Sequence, residues 1–272
     1  MSERTVTEPT IDLLDETWTA IGEVCDGLDD AAWDTPTDLP GWTVRDVVSH
    51  IIGTERMLAG DRAPEVDPAT FGPHVRNDIG RANEAWVEAR RALPGPEVLA
   101  ELREVTARRL DALRAMSAEQ WDAPGFTPEG EGPYRQFMEI RVFDCWLHEQ
   151  DIRRAVGRPG GLDTAPARHT FERMVRPMGY VVGKRAACPD GTSVLFDVGG
   201  PMGRPFAVAV AGRASVVDVP DDPTVTIRCD GETFCALAAG RWSAERAGAN
   251  GLEISGDAEL GQRVVSSMGY TI

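Results

Sequence analysis

Apolar residues recur at helical spacing through most of the first 190 residues. Between about residues 10 and 28 the large apolar side chains fall three or four positions apart, which is the period of one helix face. Further helices are expected at about residues 43–58, 78–92, 96–116, 134–156 and 166–187. Residues 60–77 have no such period and several prolines, so they are predicted to form a long irregular segment.

The start of the second predicted helix has a local signal of its own. Thr43 is followed three residues later by Asp46, which is typical of a capping box with Asp in place of Glu or Gln. Within this helix Val47, His50 and Ile51 fall on one inward stripe. His50 is therefore predicted to face the core, where a buried imidazole needs a partner.

The pattern of apolar positions changes near residue 190. Short alternating segments follow and are predicted to be antiparallel strands at residues 193–198, 205–211, 214–219 and 224–229, and residues 252–255 are predicted to form a further strand. Two short helices are expected at residues 231–240 and 257–268. The sequence thus predicts an α+β protein, with a helical domain over residues 1–190 and a small α/β domain over residues 191–272.

The charge of the chain limits its partners. A formal net charge of −16 argues against nucleic acid, whose phosphates need clustered Lys and Arg, and against anionic membranes. No apolar run approaches the ~20 residues that span a bilayer, and the first residues, Met-Ser-Glu-Arg, have no signal-peptide pattern. We therefore expect a cytoplasmic protein with neither nucleic-acid nor membrane partners.

Cysteine and lysine usage add two expectations. The five cysteines are odd in number and form no CxxC motif, which predicts free thiols in a reducing compartment. Cys145 follows Asp144 but would point about 100° away from it around a helix, so it is interpreted as a core residue, with a ligand or nucleophile role as the alternative. Lys184 is the only lysine, which is typical of a GC-rich genome such as those of Actinobacteria.

Three residues have the chemistry and spacing of a metal site. Asp144 and His148 lie four positions apart and so project from the same helix face. A second helix that placed His50 opposite them would complete a set of two imidazoles and one carboxylate. Three protein ligands with an open fourth position are typical of catalytic zinc. The alternatives are a core histidine at position 50 and an ion pair between Asp144 and Arg141.

Two sequence segments resemble a known family. Residues 38–50, Asp-Leu-Pro-Gly-Trp-Thr-Val-Arg-Asp-Val-Val-Ser-His, and residues 141–157 resemble the metal-bearing helices of the mycothiol-dependent maleylpyruvate isomerase family, which belongs to the DinB-like four-helix metalloproteins. Residues 234–241 and 252–260 are similar to its C-terminal sterol-carrier-like domain. The resemblance implies a DinB-like bundle followed by a sterol-carrier-like α/β domain.

The resemblance also implies the ligands and the cofactors. It places the metal ligands on His50, Asp144 and His148, with Asp144 where the well-known isomerase has Glu. It implies a divalent metal, for which zinc is the preferred choice, that binds the thiol of mycothiol. Family members also have an arginine near the metal, for which Arg241 is the candidate and Arg246 an alternative.

Other polar and aromatic residues are interpreted more simply. Asp151, one turn past His148, is a candidate for fixing an imidazole tautomer, with an ion pair to an arginine as the alternative. His74 and His169 show no partner spacing and are interpreted as surface or structural residues. Trp42 and Trp146 are interpreted as core residues, with a place in the lining of the pocket as the alternative.

These observations predict a metal-dependent enzyme. The expected activity is that of a mycothiol-dependent isomerase or S-transferase, in which a metal-bound thiolate attacks a small electrophile. Two other functions stay open: a hydrolase in which the metal activates water, and a non-enzymatic protein that binds a small molecule or lipid. A two-histidine, one-carboxylate iron site is a further possibility, although the resemblance argues against it.

Overall fold

Long amphipathic helices form the first part of the chain, as the apolar period predicts. The computed structural model describes residues 8–271. Its elements up to residue 161 are α1 (Pro9–Cys25), α2 (Asp30–Trp33), α3 (Val44–Leu58), α4 (Asp78–Glu88), α5 (Gly95–Arg114), α6 (Ala118–Asp122), β1 (Pro124–Thr127), β2 (Gly130–Pro133) and α7 (Tyr134–Val156). Residues 60–77 contain only a 3₁₀ turn, Pro68–Thr70. Residues 1–4, on which the signal-peptide expectation rests, lie outside the described residues.

The helices α1, α3, α5 and α7 form a four-helix bundle, which confirms the predicted architecture. Helix α1 packs against α5 and α7, and α3 packs against the same two helices. Leu14, Ile21, Ile51 and Val142 are completely buried in its core. This apolar packing supplies most of the stability of such helices, because an isolated helix is marginal in water.

The two helices that carry the candidate ligands have well-defined ends. At the start of α3 the capping box is present: Asp46 N–H donates to Thr43 Oγ1 (3.4 Å), and Thr43 N–H donates to Asp46 Oδ2 (2.9 Å). Helix α7 ends at Gly157, whose φ of 65° lies in the left-handed region that glycine adopts without strain. These signals fix where His50 and His148 stand along their helices.

The second part of the chain is an α/β unit. Its elements are α8 (Ala165–Val175), α9 (Met178–Tyr180), β3 (Ser193–Gly199), β4 (Phe206–Ala211), β5 (Arg213–Val217), β6 (Val225–Asp230), α10 (Gly231–Ala238), α11 (Ala244–Ala249), β7 (Glu253–Gly256) and α12 (Ala258–Ser266). The strands form one sheet in the order β5-β4-β3-β6-β7. The prediction of antiparallel strands is wrong for β3 and β6, which pair in parallel. The chain crosses from the edge strand β5 to the far side of β3, so β6 runs in the same direction as β3.

The predicted helix over residues 166–187 is interrupted. Helix α8 ends at Val175, and a short turn (Met178–Tyr180) leads into a π-helical segment, Val181–Arg185. Pro177 lies at the break; proline has no N–H to donate and its ring crowds the preceding turn. The sequence prediction of one continuous helix is therefore wrong.

The compact units divide between Gly161 and Leu162, whereas the sequence predicts a boundary near residue 190. Helix α8 belongs to the second unit because its Phe171 ring lies 5.3 Å from Phe234 and 6.2 Å from Phe206, measured between ring centroids. Among the described residues, no helix is both long and apolar enough to cross a bilayer.

Candidate metal centre

The structure brings His50, Asp144 and His148 together. His50 comes from α3, and Asp144 and His148 lie one turn apart on α7, which packs against α3. One potential ligand atom from each side chain lies within 4.8 Å of the other two. His50 Nε2 is 3.4 Å from Asp144 Oδ2, and His148 Nε2 is 3.4 Å from Asp144 Oδ1.

These separations fit a small divalent cation. At the zinc–ligand distances of about 2.0–2.2 Å, two ligands at the corners of a tetrahedron stand about 3.3–3.6 Å apart. The same separations are long for hydrogen bonds. His50 Nδ1 is buried with no hydrogen-bond partner in the described part of the chain, so the polar contact of this imidazole is made through Nε2, at the cluster. Two imidazoles and one carboxylate are also a donor set that zinc accepts.

The orientation of His148 is fixed by a second carboxylate. His148 Nδ1 lies 3.2 Å from Oδ2 of Asp151, whose side chain is completely buried. Arg154 donates to Asp151 Oδ1 (2.7 Å) and to Asp38 Oδ2 (2.7 Å), and so keeps Asp151 in place. With its Nδ1–H directed at Asp151, His148 turns the Nε2 lone pair towards the cluster. Both interpretations of Asp151 from sequence, the imidazole partner and the arginine ion pair, therefore describe contacts that are present.

Asp144 contacts a buried network of ion pairs on the side away from solvent. Arg141 forms an ion pair with Asp144 Oδ2 through Nη1 and donates from Nε to Glu55 Oε1 (2.8 Å). Arg109 donates from Nε to the other Glu55 oxygen (3.1 Å). The side chains of Arg141, Glu55 and Arg109 are almost completely buried. The Asp144–Arg141 pair proposed as an alternative thus coexists with the approach of Asp144 to both histidines.

In the metal-free site the surroundings favour the metal-binding protonation states of Asp144 and His50, whereas His148 would have to lose a proton to bind a cation. Burial by itself raises the pKa of the Asp144 carboxyl, but His148 and Arg141 outweigh it and hold the pKa well below its usual value. Burial lowers the pKa of His50, which favours the neutral imidazole. Burial also disfavours a charged His148, but Asp144 and Asp151 outweigh this effect and raise the pKa of His148.

Cys145 is not part of the cluster. Burial raises the pKa of its thiol to about 12, so the thiol is neutral at physiological pH. Trp18 Nε1–H donates to its sulfur at 3.3 Å. Cys145 is a core residue, as the sequence predicts.

Trp42 lies beside the cluster, where the alternative interpretation from sequence, a pocket-lining residue, would place it. Its ring centroid lies 5.1 Å from that of His50 and 6.3 Å from that of His148, so this half-buried indole flanks the cluster. The sequence signal for this position is that Trp42 directly precedes Thr43, the N-cap of the helix that carries His50. Trp146 is buried and donates to the carbonyl oxygen of Gly161 (3.0 Å), in agreement with the core interpretation.

Arg241 lies in the second unit, just after α10. Its Nη1 donates to the carbonyl oxygen of Ala239 at 3.0 Å. The alternative residue, Arg246, places its guanidinium 4.7 Å from the centroid of the Trp242 ring. A functional role for either arginine stays a prediction.

The fold and the cluster define a two-unit protein in which a four-helix bundle with a two-histidine, one-carboxylate site precedes a small α/β unit. Residues 14–153 match the family described as "Mycothiol maleylpyruvate isomerase N-terminal domain", and residues 189–268 match the "SCP-2 sterol transfer family". The chain belongs to the mycothiol maleylpyruvate isomerase family, which confirms the resemblance seen in its motifs.

Solved structures and a relative are also similar to this chain. A crystal structure of a mycothiol-dependent maleylpyruvate isomerase is similar with a TM-score of 0.59 at 17% identity, covering 91% of this chain and 92% of that one. A mutant of that enzyme gives a TM-score of 0.57 at the same identity and coverage. The uncharacterized protein Rv0036c of Mycobacterium tuberculosis is 23% identical over 218 residues, which cover 77% of this chain and 76% of the relative. At such identities the solved structures establish the fold.

Proposed function

We propose that this protein is a metal-dependent enzyme that uses mycothiol to act on a small electrophile, as an isomerase or an S-transferase. The observation that carries the proposal is the meeting of His50, Asp144 and His148 within 4.8 Å in a member of this family. The proposed metal is zinc, because the donor set and the 3.4 Å separations suit it. The proposed compartment is the cytoplasm, with a low-molecular-weight thiol and a small molecule as partners.

Each residue of the site has a defined task in this proposal. His50, Asp144 and His148 would hold the cation, and Asp151 would orient His148. Bound there, a divalent cation would lower the pKa of a coordinated thiol and so favour the thiolate at neutral pH. Two neutral imidazoles and one carboxylate would leave the loaded site with a positive charge that stabilises an anion. A role for Arg241 in binding an anionic group stays a prediction from the family resemblance.

Metal content is the first test. Elemental analysis of the natively purified protein should give about one zinc per chain, and His148→Ala should lose it. His169→Ala is the matched control, because it removes a histidine outside the cluster and should keep the metal. If the His148→Ala protein retained as much zinc as the wild type, the cluster would not be the metal site.

Thiol dependence is the second test. Turnover of maleylpyruvate or another small electrophile should require both the metal and mycothiol. Metal-dependent turnover without any thiol would instead indicate the hydrolase. Purified protein that lacks metal and carries a bound lipid would indicate the non-enzymatic binding function.

A further inference from the structure

The candidate metal centre is only partly accessible to solvent, and it is most accessible at Asp144. The side chains of His50 and His148 are 8% and 5% exposed, whereas Asp144 is 31% exposed. The half-buried Trp42 indole lies against both imidazoles, tilted 36° to the ring of His50 and 41° to that of His148. A molecule that reaches the cluster from solvent therefore meets a site bordered by Asp144 and by Trp42.

A buried carboxylate holds the indole in this position. Trp42 Nε1–H donates to Glu84 Oε2 at 2.9 Å, and His74 Nε2 lies 3.1 Å from the same oxygen. Arg91 donates to the other oxygen, Oε1, at 2.6 Å. Glu84 is completely buried on α4. Burial by itself raises the pKa of Glu84, but the hydrogen bonds from Trp42, His74 and Arg91 lower it overall, which keeps the carboxylate ionised as an acceptor.

His74 fits into a notch beside the Trp42 backbone. A Cβ at Gly41 would lie 2.4 Å from His74 Nδ1, and a Cβ at Gly72 would lie 2.7 Å from it. Both positions therefore need glycine while the imidazole occupies this place. Through His74, the irregular segment 60–77 is attached to the same carboxylate that holds Trp42.

We propose that Trp42 forms a wall of the ligand-binding side of the metal centre, and that Glu84 and His74 are positioning residues for its indole. This inference rests on the proposed function. The face of an indole is apolar and carries negative potential. It therefore suits the apolar part of a thiol ligand or a planar electrophile and disfavours an anionic group, which is left to the cation.

Thiol binding to the cobalt-loaded full chain tests this wall. Mycothiol is titrated into protein loaded with Co²⁺, and the sulfur-to-cobalt charge-transfer absorption gives Kd without any turnover. Trp42→Ala should weaken mycothiol binding about tenfold, as expected for loss of a packed aromatic surface. The cobalt d–d spectrum without thiol should be unchanged, because Trp42 is not a ligand.

The positioning residues are tested in the same titration. His74→Ala should weaken binding by about threefold or more, since the Glu84 oxygen then loses one of its donors. His74→Gln should restore binding, because its amide N–H₂ can donate to Glu84. Glu84→Gln should weaken binding. Glu88→Gln is the matched control: Glu88 lies on the same helix and also contacts Arg91, but it touches neither Trp42 nor His74.

Three results would overturn the inference, and they are distinguishable. Equal mycothiol affinity in the wild type and Trp42→Ala would contradict the role of Trp42 in ligand binding and leave the proposed function intact. Absence of a charge-transfer band in the wild type at every thiol concentration would contradict both the role of Trp42 and the proposed function. If Trp42→Ala does not fold, Trp42→Phe replaces it, because this variant keeps an aromatic ring but loses the indole N–H. Wild-type mycothiol affinity in all three of Glu84→Gln, His74→Ala and Trp42→Phe would then contradict the positioning of Trp42.

Discussion

One buried carboxylate, Asp151, contacts an imidazole of the candidate centre without belonging to the cluster itself. Asp151 contacts His148 Nδ1 and is completely buried, so its expected effect is on the orientation of that imidazole. Asp151→Asn should lower zinc affinity by about 10–100-fold while the fold is kept, because such partners fix the tautomer of a ligating histidine. Competition with a chromophoric chelator measures the affinity. Asp122→Asn, which changes an exposed ion pair with Arg135, is the control; equal affinity in both variants would contradict the role of Asp151.

Glu84 should make the stability of the fold depend on pH. Its pKa is lowered in the folded state, so the ionised group stabilises the fold above the unfolded-state pKa, and this contribution is lost as pH falls through the folded-state pKa. Glu84→Gln should therefore lower the free energy of unfolding by about 1.5–3 kcal/mol at pH 7. Urea denaturation of both proteins at pH 7 and below pH 4 checks this. A difference that does not shrink at the lower pH would show that the charge of Glu84 is not responsible.

At this scale the sequence predicts only what regular spacing reveals. Asp144 and His148 were found because they are four positions apart on one helix, and His50 because it lies on an inward stripe. The partners that hold the site in place are far away in sequence: Glu84 is 42 positions from Trp42, and Arg141 is 86 from Glu55. No periodic pattern links such residues, since tertiary packing alone brings them together.

Between elements, α3 and α4 approach each other closely at Gly53. A Cβ at Gly53 would lie 2.3 Å from Trp86 Cβ, so the two helices can approach only because position 53 has no side chain. Gly53→Ala should lower the free energy of unfolding by about 1–3 kcal/mol through overpacking, despite the better helix propensity of alanine. Thermal or urea unfolding measures this change.

Another glycine of the same bundle gives the control for this prediction. At Gly22, in α1, a Cβ would meet only an ordinary contact, at 3.7 Å from Arg103 Nε. Gly22→Ala should therefore leave stability unchanged or raise it by up to about 1 kcal/mol. If Gly53→Ala were equally neutral, α4 would be free to move away from α3, and the packing around Glu84 would not be rigid.

Elements with their own capping signals were predicted well, and elements that depend on pairing were not. The bounds of α3 and α7 follow from a capping box and from a glycine in the left-handed region. The parallel pairing of β3 with β6 has no local signal, because it depends on where the chain returns to the sheet. The hairpin of β1 and β2 was missed because its short, glycine-rich strands have no apolar alternation.

At the scale of the whole molecule, the one cluster among residues 8–271 that could hold a metal ion lies in the first unit. His50, Asp144 and His148, with their supporting carboxylates, all precede Gly161. Six of the seven tryptophans also lie in this unit, the exception being Trp242. Intrinsic fluorescence therefore reports mainly on the unfolding of the unit that carries the candidate metal centre.

Zinc should consequently stabilise the fluorescence-detected unfolding transition. A ligand that binds only the folded state adds about 2.7 kcal/mol at a free concentration 100 times its Kd. The urea midpoint should thus rise when zinc is added to metal-free protein, and a chelator should reverse the rise. His148→Ala should show no such gain, because it lacks one of the three ligands. An equal shift in this variant would mean that zinc binds the folded chain elsewhere. The stabilisation of the bundle by zinc would then not come from the cluster.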